Sequence, residues 1–310
     1  MLCFGIALLI LGADWLVKGA SSLAKRFNVP EIVIGLTVVA FGTSAPEMIV
    51  NIMSSVRGLS DIAFGNVIGS NNFNILIILG LSALLFPLEV MKNTVWKEIP
   101  FALAISILVL FLVNDKIFNP TAIDILSRLD GIILLAAFAL FLHYNWQLSK
   151  TGALEGANVK TYPLAITIGS IVAGLVGLVW GGNIMVKQAV LIAHQFGISE
   201  KVIGLTIVAA GTSLPELATS AVAALKKHPD IAVGNIIGSN IFNLLLILGI
   251  SSMIDPPAYQ ASFNMDFGLM IVATVLLFVF MFIPKRHRLD RWQGGLFVLI
   301  YVAYAVFLLK

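Results

Sequence analysis

The chain has 310 residues, 59% of them hydrophobic and only 11% charged, with a mean hydropathy of +1.00 and a formal net charge of +3. A soluble globular domain does not carry so much apolar surface, so the solvent for most of this sequence is a bilayer. The small positive charge is no nucleic-acid signature, because the basic residues sit in short loops between apolar runs.

In chain order, apolar runs long enough to span recur at residues 2–24, 31–56, 62–86, 97–114, 129–147, 163–193, 200–225, 231–254, 266–284 and 291–309. They are continuous rather than alternating, which favours helices over a membrane β-barrel. The expected fold class is an all-α membrane protein with about ten transmembrane helices. The first run has no basic region before it and no small-residue cleavage site, so it reads as a retained helix and not a signal peptide. The single cysteine, Cys3, allows no internal disulfide and no cysteine metal cluster. Four histidines (His143, His194, His228 and His287) are scattered near span ends without ligand spacing.

Loop charge sets the expected orientation. One set of loops carries Lys25, Arg26, Lys92, Lys97, Lys150, Lys160, Lys226, Lys227, Lys285, Arg286, Arg288 and Arg291. The other keeps Arg57, Lys116, Arg128, Lys201 and Lys310. The positive-inside rule then puts both termini outside. Lys18 and Lys187 are expected to snorkel to the interface. No loop is long enough for a separate regulatory calcium-binding domain.

Residues 35–80 and 204–249 are one peptide written twice, at a constant offset of 169, with 25 of 46 positions identical and no gap. The correspondence continues outward: Gly12 matches Gly181, Val17-Lys18 matches Val186-Lys187, Phe27 matches Phe196 and Glu31 matches Glu200. Each half, residues 1–148 and 163–310, therefore holds five runs, joined by the polar linker 149–162. Five is odd, so the second half enters the membrane from the opposite side. Two inverted five-helix repeats bring helices 2 and 7 together, antiparallel, near the bilayer centre. That arrangement suits a transporter with a midplane site reached from either face in turn.

What repeats is chemically costly in hydrocarbon. Gly42-Thr43-Ser44-Ala45-Pro46-Glu47 is echoed by Gly211-Thr212-Ser213-Leu214-Pro215-Glu216. Proline removes a backbone donor and clashes with the preceding turn, so both helices are expected to open and free carbonyls in the 40–43 region. Thr43, Ser44, Thr212 and Ser213 add hydroxyl oxygens, and Glu47 and Glu216 add charge. Such oxygen ligands suit hard cations such as Ca²⁺ and Na⁺. The following helices carry Asn66, Ser70 and Asn74, and Asn235, Ser239 and Asn243, each set on one face at a spacing of four. Gly65, Gly69, Gly234 and Gly238 form small-xxx-small pairs suited to close packing. A single Ser or Thr in such a helix usually bonds back to its own backbone, and Asn often serves as interhelical glue. Two glutamates in identical proline-broken contexts, with no basic residue in either motif, are poorly accounted for as structural groups.

At these residues the chain resembles the calcium/cation antiporter superfamily, in its prokaryotic sodium/calcium exchanger type. GTSAPE and GTSLPE look like the family's paired signatures, and GNVIGSNNFN and GNIIGSNIFN look like the helices that follow them. The resemblance implies Glu47 and Glu216 as central carboxylate ligands. It adds Thr43, Ser44, Ser70 and Asn74 from one half, and Thr212, Ser213 and Ser239 from the other, with Asn243 at the position matching Asn74. Backbone carbonyls of Ala40 and Ala209 would take sodium in flanking sites. Some family members carry Asp where this chain has Asn74 and Asn243, so here the site holds two formal charges and not three or four. The potassium-dependent branch, which bears that Asp, and the proton/calcium branch, with its GNxxE-type pattern, fit less well.

The expected function is secondary active exchange of Ca²⁺ for Na⁺ by alternating access, with Ca²⁺, Na⁺ and the lipid bilayer as partners. No cofactor, no nucleic acid and no second chain is required, and the expected location is a prokaryotic plasma membrane. Calcium/proton exchange is the alternative, followed by a passive cation channel, whose filter would use the same oxygens. An intramembrane enzyme is disfavoured, because the sequence has no HExxH, no GxGD pair and no Ser with a His at matching depth.

Overall fold

The computed structural model describes residues 1–117, 123–150, 161–195, 209–283 and 286–308. It is an all-α membrane fold, with one two-residue antiparallel ladder among the described residues. Of the described helices, eight are long and apolar enough to cross a bilayer, and a further span is a bent pair, Glu31–Thr43 and Ala45–Val56, with a 49° bend. The expected run 200–225 lies partly outside the described residues. Its described part is Ala209–Thr212 followed by Leu214–Leu225.

Burial sorts the spans into layers. In Pro229–Ile254 94% of the most apolar window is buried, and in Ser60–Leu85 72%, whereas in Arg291–Leu308 it is 17%. The two repeat helices that follow the proline motifs therefore form the centre, and the C-terminal helix faces lipid. Polar side chains on the central pair are tolerated because they meet other protein groups and not hydrocarbon.

Glycine decides how closely the central elements meet. A Cβ on Gly238 would lie 2.7 Å from the Ala40 Cβ and 2.8 Å from the Leu36 carbonyl oxygen. Gly35 and Gly234 face each other, a Cβ on either lying 3.1 Å from the other's Cα. Gly65 and Gly69 do not show the close packing expected of them among the described residues, where a Cβ on Gly65 would be 3.9 Å from Phe263 and one on Gly69 would touch nothing within 4 Å. The repeat partner of the segment covering Gly234 and Gly238 is residues 200–212, largely outside the described residues.

Leu2–Arg26 and Leu164–Gln195 pack along each other through the same device. A Cβ on Gly12 would sit 2.8 Å from the Gly174 carbonyl oxygen, and one on Gly181 would sit 2.9 Å from that of Gly5. Lys18 pairs with Asp14 one turn earlier at 2.7 Å, and Asp14 also pairs with Lys226 at the end of Leu214–Leu225. Lys18, expected to snorkel to the interface, is half-exposed and has this acidic residue at i−4 within its reach.

Two loop pairings close the ends of the bundle. Leu88–Glu89 pairs with Arg288–Leu289, and Ile125 bridges to Ala258. Glu89 and Ala258 are separated by the repeat offset of 169, so the same loop of each half forms a bridge.

Candidate ion-binding site

The bend falls where proline demands it. Pro46 cannot donate to the carbonyl four residues back, and Ser44 takes φ −79° and ψ 5° between the two arms. Ser213 adopts nearly the same values, −89° and 8°, ahead of Pro215. Each break places a glutamate in the first turn of the helix that follows it. Both glutamates are withdrawn from solvent, Glu47 at 1% exposure and Glu216 at 0%.

The two motifs grip each other. The Ser44 hydroxyl donates to Glu216 Oε1 at 3.2 Å, and the Ser213 hydroxyl donates to Glu47 Oε1 at 3.0 Å. Thr212 lies beside the Glu47 carboxylate. Ser239 stands 2.8 Å from Ser44 and 3.5 Å from Glu216 Oε1. Thr43 donates to Asn235 Oδ1 at 2.9 Å.

A second layer fixes the backbone of each glutamate. Asn66 donates to the Glu47 carbonyl and to Asn51 Oδ1. Its repeat mate Asn235 donates to the Glu216 carbonyl and to Ser220. Asn51 and Ser220, again 169 apart, donate to the carbonyls of Ala63 and Ala232.

Where the central helices cross, four asparagines form a closed set. Asn71 and Asn240 donate to each other's backbone carbonyls, while Asn74 donates to Asn240 Oδ1 and Asn243 to Asn71 Oδ1. Asn74 also reaches Ser239 at 3.2 Å. Asn71 and Asn240 escape a reading by helix face, since they fall off the face shared by Ser70 and Asn74. Their signal in the sequence is identity between the copies at a polar residue in an apolar run. Asn74 opens a π-helical stretch, Asn74–Leu79, and Asn243 lies at the second position of its counterpart, Phe242–Ile247. Such i→i+5 stretches recur at functional sites.

What remains after these bonds is a set of acceptors. Glu47 Oε2, Glu216 Oε2, Asn74 Oδ1, Asn243 Oδ1 and the Ser70 hydroxyl are buried with no hydrogen-bond partner among the described residues. Buried carboxylate and amide oxygens are normally satisfied, and a carboxylate has no proton of its own to offer. The donor set left over is oxygen only, which fits a hard cation.

The Ala40 carbonyl departs from expectation. It accepts the Ser44 amide at 3.0 Å and the Thr43 hydroxyl at 3.4 Å, so the proline break does not free it. Pro46 deprives the Gly42 carbonyl instead, because the missing donor lies four residues on. Ala209 lies in the helical segment Ala209–Thr212, described directly ahead of the second break.

The family model for sodium/calcium exchanger proteins matches residues 1–147 and 166–310, nearly the whole chain. The chain belongs to the sodium/calcium exchanger family. The resemblance carried by the two motifs is thereby confirmed, and with it an integral, multi-pass membrane antiporter of the Na⁺ and Ca²⁺ type. An uncharacterized membrane protein of Methanocaldococcus jannaschii is 36% identical over 96% of this chain and 93% of its own length. The sodium/calcium exchanger MaX1 of Methanosarcina acetivorans is 32% identical over 99% of this chain and 97% of its own. A solved structure of the sodium-calcium exchanger NCX_Mj superposes with a TM-score of 0.84 at 34% identity, covering 100% of this chain and 97% of that one.

Proposed function

We propose that this exchanger moves Ca²⁺ against Na⁺ by alternating access, and that Glu47 and Glu216 are the charged ligands of one shared site. The observation that carries the reading is the reciprocal pair of bonds, Ser44 to Glu216 and Ser213 to Glu47, with the second oxygen of each carboxylate left without a donor among the described residues. Thr43, Thr212, Ser70, Ser239, Asn74 and Asn243 supply the neutral oxygens around them. The carbonyls of Ala40 and Ala209 serve the flanking sodium sites, Ala40 with the Thr43 hydroxyl given over to Asn235 Oδ1, its shorter contact.

The supporting architecture is ten helices in two inverted halves, residues 1–148 and 163–310, joined by 149–162, with both termini outside. Bonds that recur at the repeat offset favour this plan, because a two-fold relation turns each contact into a second one. Coupling follows from charge. One Ca²⁺, or Na⁺ ions on the same oxygens, balances the two carboxylates. A site without cations leaves buried negative charge uncompensated and opposes the transition. Leu2–Arg26 and Leu164–Gln195 are the moving pair, held as one unit by their glycine contacts.

Calorimetric titration of detergent-purified protein with Ca²⁺ at rising Na⁺ tests the shared site. The apparent Ca²⁺ affinity falls steadily as Na⁺ increases. Saturation by each ion unaffected by the other contradicts the proposal.

A further inference from the structure

We propose that the turn Lys226–His228 is a one-sided clamp, which holds Leu2–Arg26 in the position seen here and biases the exchanger toward one of its two facing states. The proposal rests on the reading of Leu2–Arg26 and Leu164–Gln195 as the moving pair. Asp14, Lys18 and Ser21 fall on one face of Leu2–Arg26, at i, i+4 and i+7. Lys226, just past the end of Leu214–Leu225, pairs with the Asp14 carboxylate and also donates to the Asp14 carbonyl at 3.4 Å. Two residues on, His228 Nδ1 lies 3.4 Å from the Ser21 hydroxyl and 3.0 Å from Glu31 Oε2, at the start of the next helix. Lys227 between them takes φ 62°, a left-handed turn after the helix.

The repeat keeps the ion-site motifs but drops this clamp. At the offset of 169, Asp14 corresponds to Asn183, Ser21 to Val190, Lys226 to Arg57, Lys227 to Gly58 and His228 to Leu59. Gly58 keeps the turn, with φ 68°, so the difference lies in side-chain chemistry and not in the backbone. The packing is unequal in the same sense. Leu2–Arg26 packs along Leu214–Leu225, whereas their mates, Leu164–Gln195 and Ala45–Val56, do not pack along each other among the described residues. Arg57 and Asn183 are both exposed, and Arg57 makes no ion pair among the described residues.

In a transporter of inverted halves, the second facing state exchanges the roles of repeat mates. Leu164–Gln195 would then approach Ala45–Val56 at Arg57, where the sequence offers Asn and Val in place of Asp and Ser. Only the state seen here gains the ion pair with Asp14, so it is the more populated one.

Spin labels on Leu11→Cys and Leu85→Cys, two exposed positions on a moving and a central helix, report the two states as two distances. The measurement is pulsed electron resonance on the full chain in a Cys3→Ala background. Asp14→Asn raises the minor component at least about threefold, the scale of one partly exposed ion pair. Asn183→Asp, which supplies the missing carboxylate opposite Arg57, raises it by a similar factor, and adding Arg57→Gln takes that gain away. Proportions unmoved in either Asp14→Asn or Asn183→Asp overturn the clamp alone. So does a gain in Asn183→Asp that survives Arg57→Gln. A single distance in parent and variants, at every Na⁺ and Ca²⁺ concentration, overturns the clamp together with the sliding of Leu2–Arg26 on which it rests. Should Asp14→Asn fail to elute as folded protein in size-exclusion chromatography, Asn183→Asp, at an exposed position, still decides it.

Discussion

At the scale of single residues, the glutamates carry the burden of the account. Each gives one oxygen to a serine of the opposite motif and keeps one buried oxygen without a donor among the described residues. Replacing either by Gln removes half the charge that faces a divalent ion. Glu47→Gln and Glu216→Gln should each weaken Ca²⁺ binding by at least about a hundredfold, the scale of losing one partner of a buried charge pair. Equilibrium calorimetry on each folded variant checks this, and parental Ca²⁺ affinity in either contradicts the assignment. The sequence singles out these residues because a carboxylate beside a proline in an apolar run is too costly to persist without a cation or a proton to balance it; the structure buries both. The paired state of the Ala40 carbonyl follows from the same rule, because Pro46 removes the donor four residues after Gly42 and leaves the Ser44 amide in place for Ala40.

At the scale of elements, the crossing of Ser60–Leu85 and Pro229–Ile254 depends on the four asparagines and on glycine contacts. Asn71→Ala and Asn240→Ala each remove bonds from one closed set, so their effects on stability should be coupled. Each single change costs about 1–3 kcal/mol, and the double variant departs from their sum by more than about 0.5 kcal/mol. Strict additivity in denaturation midpoints contradicts a shared network. Gly238→Val places carbon 2.7 Å from the Ala40 Cβ and against the Leu36 backbone, where the neighbours have little room to shift. The expected loss is about 1–3 kcal/mol, read as a lowered melting temperature, whereas Gly69→Ala meets nothing within 4 Å among the described residues and should be tolerated. Hydropathy located the spans because twenty apolar residues have one economical conformation in lipid. It gave no hint of the π-helical stretches at Asn74–Leu79 and Phe242–Ile247, since their i→i+5 bonds arise from packing and not from any residue preference. The Asp14–Lys226 pair escaped for a similar reason, as it joins residues more than two hundred positions apart.

At the scale of the whole molecule, the repeat predicts its own geometry. Val56 and Leu225 are repeat mates, each the last residue of its helix, so single cysteines at these positions, in a Cys3→Ala background, stand at a helix end where a membrane-impermeant thiol reagent can meet them. They should label from opposite faces of the membrane, and labelling from the same face contradicts the inverted arrangement. The constant offset of 169 read in the sequence recurs in the bonds of Asn66 and Asn235, in those of Asn71 with Asn240 and in the two loop bridges. The bridges themselves were not legible, because two-residue pairings in polar loops leave no periodic trace. The central claim is that one site of two glutamates forces Ca²⁺ and Na⁺ to take turns. ⁴⁵Ca²⁺ uptake into proteoliposomes, loaded with Na⁺ or with an inert cation, tests it most directly. Uptake by the parent should require internal Na⁺ and should vanish in Glu216→Gln. Undiminished uptake without any exchangeable counter-ion, or in Glu216→Gln, would contradict it.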